Sequence, residues 1–191
     1  MRKLILSFVV VAALLTSFSV VAEEPPPTGC AQIPCAGDLA KHPFSAGVLI
    51  GATSITYTSS NYDFSWALFG LEIPFEYTFV VGPGNLVAHI AFKLDARSDQ
   101  VLIGIPMGAR YKMQFFNFPL YFYPLFDIGP AFDTKGPNKQ NWGMIRFGAG
   151  VSYLVLPYLE VMMEPLGLGA IFNTNYSGFV YTFLAGAQFR W

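Results

Sequence analysis

Charged residues are scarce in this sequence. Lys, Arg, Asp and Glu make up 12% of its 191 residues, and the formal net charge is −1. The chain therefore lacks the basic excess that nucleic-acid binding requires. Hydrophobic residues reach 53% and aromatic residues 17%, which excludes a disordered chain and favours a membrane class. The length fits a single domain.

Cysteine is also rare, since Cys30 and Cys35 are the only two. A metal site would need more ligands than these thiols and the distant His42 and His89, so we expect neither a metal nor another cofactor. In an oxidising compartment such a pair is expected to form a disulfide, worth about 2 kcal/mol for so short a loop. Free thiols remain an alternative, as does lipid attachment to Cys30.

The mature chain lacks an apolar run of the kind that forms a membrane-spanning helix. Its longest stretch without charge, from Pro165 to Phe189, is interrupted by Asn173–Asn175 and by several glycines. That composition predicts two strands joined by a polar turn. A secreted, apolar chain without spanning helices is typical of a closed barrel in the outer membrane of a Gram-negative bacterium.

The N-terminus has the three parts of a secretory signal peptide. Arg2 and Lys3 precede an apolar run from Leu4 to Leu15, and Val20–Ala22 forms a small-residue cleavage site. We therefore predict a signal peptide over 1–22 and Sec-type export, with a retained anchor as the alternative. Residues 23–43 are expected to form a Pro-rich periplasmic tail that contains both cysteines, and residues 44–191 to form the barrel.

Eight segments with apolar and polar residues in alternation follow the tail. The connections between them alternate between polar loops and short turns, as in transmembrane barrels. We therefore predict an all-β fold, an eight-stranded antiparallel up-and-down transmembrane β-barrel. The predicted strands cover 44–57, 64–80, 85–96, 100–116, 119–133, 141–156, 158–173 and 178–191.

The charges of these segments share one face. In the second segment Glu72 and Glu76 alternate with a row of aromatic and aliphatic residues between Phe69 and Phe79. Because that apolar row suits lipid, the charged face must line the lumen. The predicted lumen-facing set comprises Glu72, Glu76, His89, Lys93, Asp95, Arg110, Lys112, Asp127, Arg146, Glu160, Glu164 and Arg190.

Two features leave details of this fold open. Pro74, Pro106 and Pro124 each remove a ladder donor, which predicts irregular pairing, and the alternation becomes ambiguous after Pro165, which predicts a bulge near Gly167 or Gly169. A lipocalin would have the inverted sense, with polar residues outside, whereas a secreted β-sandwich remains an alternative because alternation alone does not establish closure.

Two roles are open for the lumen-facing set. Its near balance of acids and bases permits an ion-pair network that closes the barrel. Some of the same groups could instead line a narrow pore. We do not expect an enzyme, because no G-x-S-x-G elbow, metal cluster or phosphate loop occurs. Glu160 and Glu164, about 13 Å apart along a strand, are too distant to share a proton.

The last hairpins carry a family resemblance. Gly148–Tyr153 reads GAGVSY, and a turn and Glu160 follow it; the sequence ends in alternating aromatics with Phe189 and Trp191 on the apolar face. This pattern resembles the small outer-membrane β-barrels of the OmpA/OmpX type. The resemblance implies a monomer in outer-membrane lipid, with Phe189 and Trp191 as a C-terminal signal for the barrel-assembly machinery. It also implies a structural or surface-interaction role, or a narrow passive channel for small solutes.

Overall fold

The computed structural model describes residues 36–58, 63–114, 118–134, 141–174 and 177–191. The predicted signal peptide, most of the predicted tail, and Cys30 and Cys35 lie outside these residues. The described elements are α1 (Ala36–Lys41), β1 (Phe44–Thr58), β2 (Asp63–Val81), β3 (Gly84–Ala96), β4 (Val101–Gly104), β5 (Met107–Gln114), β6 (Leu120–Asp133), β7 (Asn141–Leu156), β8 (Leu159–Phe172) and β9 (Ser177–Arg190).

Antiparallel pairing runs around a closed ring. β1 pairs with β2 on one side and with β9 on the other, from Ser45 opposite Arg190 to Thr58 opposite Ser177. β4 and β5 share one position in the ring, because both pair with β3 and with β6. The nine described strands therefore occupy eight strand positions around the barrel. This confirms the predicted up-and-down barrel and excludes an open sandwich.

Pro106 explains why β4 and β5 are separate. The sequence predicts one strand over 100–116, but the strand is interrupted at Ile105 and Pro106, because proline has no N–H to donate. Neighbouring strands bridge the gap: Ala91 N donates to Pro106 O at 2.9 Å, and Ile105 N donates to Pro130 O at 3.0 Å. The wall of the barrel thus remains hydrogen-bonded on both sides of the break.

A second irregularity lies in β8. Against β9 the register shifts between Glu164 and Gly167, and against β7 it shifts between Met163 and Leu166, so that β8 carries one extra residue at Pro165. The inward-facing positions are even-numbered up to Glu164 and odd-numbered from Gly167 onward. This is the change of parity that made the sequence pattern ambiguous, and its position agrees with the predicted bulge.

The two faces of the barrel differ in polarity. The outer face carries a broad set of exposed aromatic and aliphatic side chains, whereas the charged residues of the strands are buried inside. The lumen also holds an apolar layer near the ends of the long connections, which we call the loop end. That layer consists of Ile55, Leu68, Leu102, Ala131, Ile171 and Val180, with Trp66 and Trp142 packed against it.

The opposite end, where β1 begins and β9 ends, is called the terminus end. There the short helix α1, which the sequence pattern did not predict, places Leu39 in a buried cluster with Tyr121 and Leu154. Only His42 and Pro43 separate α1 from β1. Among the described helical residues, none belongs to a helix long and apolar enough to cross a bilayer.

Candidate functional site: the charged lumen

The structure places all twelve predicted lumen residues inside the barrel, where none is more than 4% exposed. Alternation along each strand turns them inward, and closure brings together residues that lie far apart in the chain. They form one extended network and one smaller group, which are described from the terminus end towards the loop end.

Glu160 is the centre of the network at the terminus end. Its carboxylate accepts from Lys112 Nζ at 2.6 Å, from Arg190 Nη1 at 2.7 Å and from Gln188 Nε2 at 2.6 Å. Arg190 also donates to Thr78 Oγ1 at 2.5 Å. A buried carboxylate with two cations and an amide has the partners that burial of its charge requires.

The middle of the lumen is organised by Arg110. Its guanidinium pairs with Glu76 through Nη1 and with Glu164 through Nη2, the latter at 2.6 Å. The Tyr123 ring lies beneath Arg110 and Lys112, with its centroid 5.8 Å from Arg110 Cζ and 5.6 Å from Lys112 Nζ. The ring therefore offers its face to both cations.

Gly150 makes room for that ring. A Cβ at position 150 would overlap the Tyr123 ring, so a larger residue would displace it. Gly150 is the second glycine of the GAGVSY segment. The close approach of the Tyr123 ring thus explains why a residue without a side chain is needed at position 150.

Arg146 continues the network towards the loop end. Its Nε and Nη2 donate to Asp127 Oδ2 at 2.8 and 2.5 Å, while Nη1 lies 3.2 Å from Glu72 Oε2. His89 lies between the same two acids, with Nδ1 2.9 Å from Asp127 Oδ1 and Nε2 3.5 Å from Glu72 Oε1. Ionised carboxylates only accept hydrogen bonds. An imidazolium at His89 would carry an N–H on both ring nitrogens and could donate to both acids.

Lys93 and Asp95 form the smaller group. Lys93 Nζ lies 2.6 Å from Asp95 Oδ2, and Thr53 Oγ1 accepts from Lys93 at 3.0 Å while donating to Asp95 at 2.6 Å. Gly70 stands opposite Asp95 in the β2–β3 register and leaves space for this group. The three side chains satisfy one another just below the apolar layer of the loop end.

Counting charges shows how the lumen can be closed. Six carboxylates face the five Lys and Arg side chains, and an imidazolium at His89 would make the cations six. The pairs cross the lumen, because Arg146 on β7 reaches Glu72 on β2 and Arg110 on β5 reaches Glu164 on β8. Such an arrangement can hold the walls together, and it fills the centre of the barrel.

Several neutral residues of the site were not predicted from the sequence, because the predicted set was chosen by charge. Tyr123, Gln188, Thr53, Ser45 and Thr78 all contribute side-chain hydrogen bonds to the buried acids or bases. Their inward parity was the available signal. The described residues contain no group of three or more His, Cys, Asp or Glu placed to hold a metal ion. His42, the other histidine, lies in the connection between α1 and β1.

Comparison with known proteins bears on the fold. No known protein family matches the sequence, and no curated protein matches it. Among solved structures, Neisserial surface protein A is 20% identical with a TM-score of 0.52, covering 78% of this chain and 97% of that chain. Ail of Yersinia pestis is 12% identical with a TM-score of 0.45, covering 77% and 98% respectively. The likeness to Neisserial surface protein A confirms the fold expected from the resemblance to small eight-stranded outer-membrane barrels.

Proposed function

We propose that this chain is an integral protein of the outer membrane of a Gram-negative bacterium, with a structural or surface-interaction role and a lumen that does not conduct. Export by the Sec route, removal of residues 1–22 and recognition of Phe189 and Trp191 by the barrel-assembly machinery belong to the proposal. So does a monomeric state in outer-membrane lipid. The terminus end would then face the periplasm and the loop end the exterior.

Membrane insertion is supported by the outer face of the barrel. Phe69, Phe75, Ile90, Phe147 and Phe189 are all exposed there, and each is 44 to 59% accessible. Apolar patches of this extent would promote aggregation in water, but they match a hydrocarbon environment. A closed barrel also leaves no unpaired strand edge towards lipid.

The observation that carries the closed-lumen role is the network that crosses the barrel. The side chains of Lys112, Glu160, Arg146 and Glu72 are at most 2% exposed. Lys112 on β5 pairs with Glu160 on β8, and Arg146 on β7 pairs with Glu72 on β2, so both pairs cross the lumen. A continuous water path would have to separate such pairs, which is costly because each broken pair leaves charges without partners. A rigid, filled barrel is therefore better suited to presenting its connecting segments than to passing solutes.

Planar-bilayer recordings test this role against the narrow channel. We expect purified, refolded protein to give no single-channel steps across a range of salt concentrations, while a conducting porin inserted in the same way serves as the positive control. Reproducible steps from the refolded protein would replace the closed-lumen role by the channel. Membrane insertion is tested separately, by outer-membrane fractionation and by the different gel migration of boiled and unboiled samples.

A further inference from the structure

The helix α1 lies across the mouth of the barrel at the terminus end. Its residues contact β2 and β3 on one wall. Its Leu39 side chain, which is 0% exposed, packs with Tyr121 of β6 and Leu154 of β7 on the opposite wall. The six-residue helix therefore has contacts on both sides of the mouth, and its Leu39 side chain points into the mouth.

A polar contact ties the same helix to the charged network. Arg190 Nη2 donates a hydrogen bond to the Leu39 main-chain oxygen at 3.2 Å, while Arg190 Nη1 pairs with Glu160 at 2.7 Å. The guanidinium thus has one partner in α1 and another in the lumen. Because the acceptor in α1 is a carbonyl near a helix end, this contact satisfies a group that the helix itself leaves unpaired.

The connection to β1 holds α1 at this position. Only His42 and Pro43 lie between the helix and β1, and Thr78 N donates to Pro43 O at 2.8 Å. So short a tether keeps the local concentration of the helix at the mouth high. The occupant of the apolar surface formed by Tyr121 and Leu154 is therefore a segment of this chain.

We propose that α1 is a plug that seals the lumen at the terminus end, with Leu39 as the inserted side chain and Arg190 as its latch. Withdrawal of the plug would admit water to the first layer of the lumen and would free a donor of Arg190 beside Glu160. The segment before α1 would in this way be coupled to the charged network. This inference goes beyond the closed-lumen role, which depends on the central ion pairs.

Thiol labelling tests the seal. In a Cys30→Ser/Cys35→Ser background, Ser152→Cys introduces a thiol on the lumen face of β7, at a position that is 1% exposed. Refolded in detergent micelles, this protein is treated with a water-soluble maleimide with and without Leu39→Ser. We expect labelling to be about tenfold faster with Leu39→Ser, because local opening sets the rate at a buried thiol. Leu39→Met, which keeps an apolar side chain of similar volume at the same position, is the matched control and should leave the rate nearly unchanged.

Only the folded band of unboiled gels is scored, so that loss of folding is not counted as opening of the plug. Equal labelling rates with Leu39 and with Leu39→Ser would overturn the proposal. A second measurement uses a short bis-maleimide, which can join two cysteines whose side chains lie close together without disulfide geometry. Because Leu39 and Leu154 share a buried cluster, a Leu39→Cys/Leu154→Cys pair in the same background should cross-link faster than Lys41→Cys/Leu154→Cys. Equal or slower cross-linking of the first pair in the folded band would also overturn the plug. Neither result depends on whether the barrel conducts.

Discussion

Arg146 and Asp127 stand opposite each other in the β6–β7 register, and the guanidinium donates two hydrogen bonds to one carboxylate oxygen of Asp127. Both side chains are buried in the lumen. Arg97 and Asp99 form a second Arg–Asp pair with a distance of 3.0 Å, but their side chains are 44% and 69% exposed. The two pairs have the same chemistry and different environments, so they can be compared directly.

We expect Arg146→Met to lower the free energy of unfolding by about 3 to 5 kcal/mol, because it leaves Asp127 and Glu72 as buried carboxylates without this partner. Arg97→Met, the matched control, should cost about 0 to 1 kcal/mol. Urea unfolding in lipid vesicles, followed by tryptophan fluorescence, measures both. Similar losses for the two variants would show that the lumen pair is solvated and would contradict a filled lumen.

The bulge in β8 leads to a prediction about the lipid-facing side. The Tyr181 hydroxyl donates a hydrogen bond to Pro165 O at 2.9 Å, at the point where the β8–β9 ladder is interrupted. In lipid no water replaces a lost donor, so Tyr181→Phe is expected to cost about 1 to 3 kcal/mol. The same unfolding assay measures this loss.

Tyr153 provides the control for that experiment. It is also exposed on the outer face, at 44%, and its hydroxyl makes no hydrogen bond in the structure to another described residue. We expect Tyr153→Phe to have little effect on the unfolding midpoint. An equal shift for both variants would mean that loss of a hydroxyl at the membrane surface, and not the bond to Pro165, is what the assay detects.

The packing of Gly150 against Tyr123 can be tested with a second glycine. Gly150→Ala should destabilise the barrel by about 1 to 3 kcal/mol, because the added methyl group displaces a ring packed beneath Arg110 and Lys112. Gly104 also faces the lumen, but a Cβ there would lie 3.6 Å from its nearest neighbour, in Lys93. Gly104→Ala should therefore be close to neutral. A neutral Gly150→Ala would show that the Tyr123 ring has room to move.

Topology in the membrane can be tested by surface labelling of intact cells. In the Cys30→Ser/Cys35→Ser background, Asp99→Cys lies in the connection between β3 and β4, where the Asp99 side chain is 69% exposed, and Pro83→Cys lies in the exposed β2–β3 turn at the other end. A poly(ethylene glycol) maleimide too large to cross the outer membrane should label Asp99→Cys on intact cells. It should label Pro83→Cys only after permeabilisation, and the reverse pattern would invert the proposed orientation.

The sequence predicted the barrel well because a strand has a strict two-residue period. Glu72 and Glu76 on β2, and Asp127 and Arg146 on β6 and β7, could be assigned to the inside from parity alone. Parity failed at Pro165, where one extra residue exchanges the two faces. It also could not place α1, since a helix of six residues has too little periodicity to be seen and is held by contacts with the barrel.

The sequence itself determined which face of most strands points into the lumen, how many strand positions the barrel has, and the separation of charge from lipid. These properties follow from local alternation and from the cost of placing charge in hydrocarbon. The tertiary structure decided the pairing of the charges. Arg146 meets Glu72, 74 residues away, and Arg190 meets Leu39, 151 residues away, only once the ring has closed. Such contacts depend on register and shear, which no local pattern contains.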